Sequence, residues 1–283
     1  MVPRGDFSIR ALTEQEMQIM VAWAAAEGWN PGLSDGAIFH GTDPQGFLAG
    51  FLDGAPVASV SAVKYGDGYG FIGFYIVKPE MRGQGFGMRI WQAAMERLTG
   101  RNIGLDGVVA QQDNYKKSGF VLGYRNVRYQ GRGRQQSPAA AGLVPLAQVP
   151  FAQVEEYDRE LFFTSRPQFL RQWINQPASL ALGYVKHGDL QGYGVIRQCG
   201  SGSKIGPLFA RDGMVAEALF SSLSEWAKGQ DVFIDIPEPN ANAAELVKNH
   251  AMTPAFETAR MYTGPIPPID LKKVFGVTSF ELG

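Results

Sequence analysis

Arg82-Gly83-Gln84-Gly85-Phe86-Gly87 is the stretch that decides the fold. An apolar run, Gly70-Phe71-Ile72-Gly73-Phe74-Tyr75-Ile76-Val77, comes before it. A helical pattern follows, with Gly87, Trp91, Ala94, Met95 and Leu98 on one face. The three pieces read as strand, glycine turn and helix. The first turn of such a helix has unpaired N–H groups and the positive end of the dipole. Three glycines leave those groups uncovered, so an anion can approach closely. The nucleoside-triphosphate pattern GxxxxGK[ST] is absent. The dinucleotide pattern GxGxxG fails at Met88, and Asp106 alone does not restore it.

The wider composition narrows the class. The chain has 283 residues, 45% hydrophobic and 19% charged, with a net charge of −1. Those values describe a globular chain with no electrostatic preference for nucleic acid or an anionic membrane. The single cysteine, Cys199, allows no disulfide within the chain. No stretch reads as a membrane span or a signal peptide, so a cytoplasmic location is expected. His40, His187 and His250 lack metal-ligand spacing, and no metal is expected.

In chain order, 7–12 reads as a strand. Thr13 and Glu16 have the spacing of a capping box before a helix that ends at Gly28-Trp29-Asn30-Pro31-Gly32. A second helical piece fits 34–40. Segments 46–52 and 56–64 form a hairpin across Asp53-Gly54. The strand at 70–77 is apolar on both faces and should be central, with a bulge at Gly73. A fifth strand fits 105–110. Asp113 to Lys117 reads as a short helix closed by Gly119, and 121–130 as a returning strand.

What fits the glycine turn is RxxGxG, matched by Arg82, Gly85 and Gly87. Here the sequence resembles the GNAT superfamily of N-acetyltransferases, whose pyrophosphate loop opens the helix after the fourth strand and binds coenzyme A. The resemblance implies acetyl-CoA as cofactor, held by Ile76, Val77, Arg82, Gly83, Gln84, Gly85, Phe86, Gly87 and Asn114.

The second half repeats the first. Phe71-Ile72-Gly73 returns as Lys204-Ile205-Gly206, and Arg128-Tyr129-Gln130-Gly131 as Met261-Tyr262-Thr263-Gly264, both 133 residues on. At that offset the glycine loop falls on Val215 to Phe220 and Tyr115 on Lys248, so the second copy loses the cofactor. The whole chain resembles two-domain bacterial GNAT proteins of the YitH type. The expected fold is therefore α/β (α+β), with two tandem GNAT-like domains, each a mixed, mostly antiparallel sheet flanked by helices. They are placed at 1–134 and 151–283, with a Gly/Ala/Pro-rich linker at 135–150. The arginines beside the linker read as solvated charge, not as an RNA-binding segment.

Direct attack of an amine on a thioester needs a free amine, oxyanion stabilisation and a proton for the leaving thiolate. The resemblance implies Tyr115 as the acid, in a YxxxGF pattern with Gly119 and Phe120. It also implies a backbone N–H of Ile76 or Val77 at the oxyanion. The strand at 70–77 lacks the glutamate common in the family. Glu27, Asp35, Glu281, Asp113 and a water relay remain open as the base. Trp29 and Asn30, in the turn over the acceptor side, are expected to shape the pocket. The expected function is N-acetylation of a primary amine, of a small molecule before a protein lysine. The alternative is an acyl-CoA-binding protein without transfer activity.

Overall fold

The structure, a computed structural model, describes residues 5–135 and 141–283. The first half runs β1 (Phe7–Ala11), α1 (Met17–Ala26), α2 (Asp35–Thr42), β2 (Phe47–Leu52), β3 (Ala55–Tyr65), β4 (Tyr69–Val77), α3 (Phe86–Arg97), β5 (Asn102–Val108), α4 (Gln112–Lys117) and β6 (Val121–Arg132). The second runs β7 (Leu143–Pro145), α5 (Phe151–Phe162), α6 (Pro167–Trp173), β8 (Ser179–Lys186), β9 (Asp189–Gln198), β10 (Ser203–Ala210), α7 (Gly213–Trp226), β11 (Asp231–Pro237), α8 (Ala241–Asn249), β12 (Thr253–Tyr262) and β13 (Val274–Gly276).

Local chemistry accounts for the early elements. Thr13 and Glu16 exchange the two capping-box hydrogen bonds, at 3.0 and 3.3 Å. Asp53 and Gly54 turn the β2–β3 hairpin with φ of +48° and +79°, the left-handed pair a two-residue turn needs. Phe86, Ile90, Trp91, Ala94 and Leu98 bury one stripe of α3 against the sheet. Each large side chain there stabilises the fold by roughly 1.5–3 kcal/mol.

One sheet runs through the whole molecule, in the order β1-β2-β3-β4-β5-β12-β6-β11-β10-β9-β8-β7. The pairs β4–β5 and β10–β11 are parallel and the other pairs antiparallel. The expected return of 121–130 beside its own half does not occur: β12 lies between β5 and β6. Each half thus lends its last long strand to the other, and a cut near 134 does not separate two sheets. The expected linker is also partly built in. Leu143–Pro145 pairs with β8, Leu146 is buried, and 136–140 lie outside the described residues.

The register corrects the repeat. Phe71 sits opposite Gly104 in one half, and Lys204 opposite Phe233 in the other. The separation of equivalent residues therefore falls from 133 to 129 between these strands. The cause is the connection before the helix. Residues 78–85 link β4 to α3, whereas only Arg211 and Asp212 link β10 to α7. The second half has deleted the glycine loop; it has not replaced it with Val215 to Phe220. At the end of the next helix the separation is 132, because Phe120 N donates to Tyr115 O and Met252 N to Val247 O, so Tyr115 corresponds to Val247, not Lys248.

The corrected register exposes a symmetry. Asp106 and Asp235 are equivalent, and each is fully paired with an arginine from the other half's last strand. Arg260 Nε lies 2.8 Å from Asp106, and Arg128 Nε lies 2.6 Å from Asp235. All four side chains are buried.

Candidate active site

β4 and β5 stay paired only from Tyr69–Asn102 to Ile72–Leu105 and then splay. A cavity of about 500 Å³ opens in the splay. The splay begins where β4 bulges: Ser59 faces Ile76 and Ser61 faces Gly73, with Phe74 at φ +47° between them. A phenylalanine in that conformation is strained, and strain of this kind concentrates at functional clefts.

The matching splay of the second half is filled. Strand β13 pairs with β10 past Ile205, and Val277 N donates to Asp235 O at 2.8 Å. The chain then runs on to the first splay. A Cβ on Gly206 would lie 2.6 Å from Thr278 O, and one on Gly73 would lie 2.2 Å from Glu281 O. Two equivalent glycines therefore let the tail pass both central strands.

The mouth of the open cavity is the glycine loop. Gly83 and Gly85 have φ of +76° and +89°, and nothing lies within 4 Å of a Cβ on either. Gly85 is the N-cap of α3, so the N–H groups of Phe86, Gly87 and Met88 have no partner in the helix. Gly87 makes room for Tyr75: a Cβ there would lie 2.8 Å from the Tyr75 hydroxyl. Arg82 donates to Val77 O at 3.0 Å and to Glu27 at 2.5 Å, tying α1 to the end of β4.

Tyr115 lines the cavity and is buried, its ring 5.6 Å from Trp91 and packed on Gly107. Burial raises its pKa, and Tyr75 adds to the effect. The cavity is also lined by Trp29 and Phe74 from the first half and by Phe256 and Phe280 from the second.

Of the residues expected from sequence, Glu27, Trp29, Ile76, Val77, Arg82, Gly83, Gly85, Gly87 and Tyr115 line this one cavity. Others do not. The Phe86 side chain is core, 5.0 Å from Phe7, so only its N–H faces the loop. Gln84 turns back to Glu80 O, and Asn114 is exposed and bonded to Gln111 and Lys117. Asn30 is used structurally, exchanging two hydrogen bonds with the Ser201 backbone. Asp35 is buried against Arg197 at 2.8 Å and also accepts from Gly32 N. Asp113 is exposed beside Lys116. Sequence reading missed Phe74, Tyr75, Phe256 and Phe280. The last two reach the site only through strand exchange and the tail, which no local pattern announces.

No group of three or more potential metal ligands occurs among the described residues, and no helix there is long and apolar enough to cross a membrane.

An open splay between parallel strands, with a glycine-lined helix start at its mouth, defines the acyl-CoA-using class of fold. The acetyltransferase (GNAT) family pattern matches residues 10–120, and an acetyltransferase (GNAT) domain pattern matches 154–276. The holothin acyltransferase of Pseudoalteromonas sp. (strain SANK 73390) is 35% identical over 277 residues, 95% of this chain and 92% of that one. A candidate acetyltransferase of Pyrococcus horikoshii superposes with a TM-score of 0.84 at 25% identity, covering 100% of this chain and 98% of that one. A tandem GNAT protein from the clavulanic acid biosynthesis pathway shares the fold, with a TM-score of 0.63 at 14% identity over 93% of this chain and 100% of that one. The chain belongs to the GNAT superfamily and is an acyltransferase with two GNAT domains in tandem.

Proposed function

We propose that the protein transfers an acyl group, acetyl in the first instance, from its coenzyme A thioester to a primary amine of a small molecule. The observation that carries this reading is the single cavity joining the helix start at Gly85 to Tyr115 and to the aromatic acceptor wall. The residues present fit the donor. Unpaired N–H groups and positive-φ glycines suit a pyrophosphate, and nothing within 4 Å of Gly83 or Gly85 obstructs it. The donor supplies the activated acyl carbon, and the protein supplies position and protons.

Tyr115 is the acid in this reading. Its raised pKa keeps the hydroxyl protonated at neutral pH, ready for a thiolate whose acid has a pKa of about 8.5. The unpaired edge of β4 beyond Ile72 supplies the N–H of Ile76 or Val77 to the oxyanion.

A small-molecule acceptor is favoured because aromatic side chains from both halves enclose that end of the cavity. The name of the holothin acyltransferase points the same way. The test is thiol release with acetyl and longer acyl donors against small amines and a lysine peptide. Turnover on the peptide alone would reject the small-molecule reading.

A further inference from the structure

The cavity offers an amine no free, accessible base among the described residues. No histidine or lysine lines it, and the carboxylates that do are Glu27, Asp106 and Glu281. Glu27 is tied to Arg82 at the glycine loop. Asp106 has no exposed side-chain surface, and both its oxygens accept hydrogen bonds from Arg260. Glu281 is buried, with both carboxylate oxygens sealed from solvent and so from the cavity.

What the cavity offers instead is flat apolar surface. Trp29, Phe256 and Phe280 line it and meet around one side chain, Arg128 of β6. Arg128 Nη1 donates to Trp29 O at 2.7 Å, and its Cζ lies 4.9 Å from the centre of the Phe280 ring and 5.9 Å from that of Phe256. The two phenylalanine rings are 6.3 Å apart. Arg128 is itself fixed by its buried pair with Asp235. Lys204 Nζ donates to the same Trp29 carbonyl at 3.3 Å, and the next residue, Asn30, bonds twice to the Ser201 backbone. The turn that carries Trp29 is therefore fastened to the second half. Trp29 and Phe256 are only half-buried, which leaves ring surface for a ligand. Rings held this way stack on a flat partner without first having to be ordered.

We propose that the acceptor is a flat aryl- or heteroarylamine, its nitrogen conjugated with the ring, received by Trp29, Phe256 and Phe280. The inference rests on the reading of the protein as an amine acyltransferase. Conjugation draws the nitrogen lone pair into the ring, so the amine is neutral at pH 7 and needs no base before it attacks. The nitrogen bonds to the acyl carbon. The C–S bond breaks, its electron pair stays on sulfur, and sulfur takes the Tyr115 proton. The surplus proton on nitrogen passes to water, and solvent returns one to Tyr115. The glutamate absent from the strand at 70–77 is a group this substrate does not require.

A basic alkylamine is the poorer fit. With a pKa near that of lysine, about 10.4, on the order of 1 in 10³ molecules is unprotonated at pH 7. The ammonium form has no lone pair to attack with, and an apolar corner without a counter-ion makes its entry costly.

The experiment is thiol release by the full chain with acetyl-CoA and three amines: aniline, benzylamine and cyclohexylamine. Aniline has the flat ring and the conjugated nitrogen, benzylamine the flat ring alone, and cyclohexylamine neither. At pH 7 aniline should exceed both others by about tenfold or more in kcat/KM, with no acid limb near neutrality, whereas the alkylamines should gain about tenfold per pH unit. Phe256→Leu and Phe280→Leu should each raise KM for aniline about 3–10-fold, with kcat and donor affinity within a few-fold of the parent. A thermal melt of each variant confirms that it is folded, and the amine panel on the parent stands without them. Benzylamine or cyclohexylamine used as well as aniline at pH 7 would overturn the inference while leaving amine acyl transfer standing. Folded leucine variants with the parental KM would overturn the assignment of the rings. A parent that releases no thiol with any amine would sink both readings.

Discussion

Tyr115 lines the cavity, and its environment keeps the proton on, as the proposed role of acid for a departing thiolate requires. Burial raises the pKa above the ordinary tyrosine value of about 10. Ionised tyrosine cannot donate, so the basic limb of the rate profile should lie above that value. Tyr115→Phe should remove that limb and lower kcat by about 10²–10⁴-fold, with donor affinity little changed. Tyr75 is the competing hydroxyl, since burial raises its pKa too and it reaches over Gly87. The parallel variant Tyr75→Phe should keep kcat within a few-fold, and the reverse pattern would exchange the two roles. At this scale the sequence was legible where chemistry is local. Tyr115, Arg82 and the glycines lie within one strand–loop–helix–strand–helix unit. Asn30 and Asp35 were misread because their partners, Ser201 and Arg197, lie far along the chain. Nothing local marks a carboxylate as already bound to a buried arginine.

The element that makes the site is the connection at 78–85, and the element that closes it is the tail. The second half lacks both conditions for a donor: its loop is two residues long and β13 fills its splay. One donor should therefore bind per chain, and calorimetry giving two equivalent sites would reject this. Gly85→Glu should abolish donor binding with only a moderate loss of stability. It places a like charge at the helix start and holds a side chain at φ +89°, a strain of about 1–2 kcal/mol. The tail imposes a different demand. Gly73→Ala would put a methyl group 2.2 Å from the Glu281 carbonyl, which is backbone and cannot rotate away. That variant should lower both Tm and kcat, whereas Gly68→Ala, with nothing within 4 Å, should change neither much. If Gly73→Ala kept full activity and Tm, the tail would not be positioned as described. The sequence showed that the second copy had lost its loop, but not how. A fixed offset cannot register a deletion, so replacement was inferred where residues are missing. Gly73 was legible as special, though the tail's close approach explains it better than the neighbouring bulge at Phe74.

For the whole molecule, the sequence disclosed two copies of one fold but not that they exchange strands. A swapped strand has the same hydrophobic pattern as an unswapped one, because periodicity reports which face is buried and not which neighbour is paired. The buried Asp106–Arg260 and Asp235–Arg128 pairs are the durable record of the exchange, each crossing from one half to the other. Removing one partner of such a pair leaves a buried charge and costs about 3–5 kcal/mol. A chain ending at Arg134 would suffer that loss at Asp106 and at Arg128 together. It would also strip β12 from β5, leave β6 without either neighbour, and expose the shared core where Phe39 stacks on Trp173 at 5.9 Å. The cavity would lose Phe256, Phe280 and Glu281. The two charge losses alone, about 6–10 kcal/mol together, are comparable with the usual stability of a domain, about 5–15 kcal/mol. The truncated chain should therefore fail to form a folded, active monomer, and either aggregate or pair with a second copy through its open β5 edge. Ultracentrifugation, thermal unfolding and thiol release on the same sample decide it. A monomer with a cooperative melt and parental kcat would show that the exchange is dispensable and that the first half carries the whole reaction.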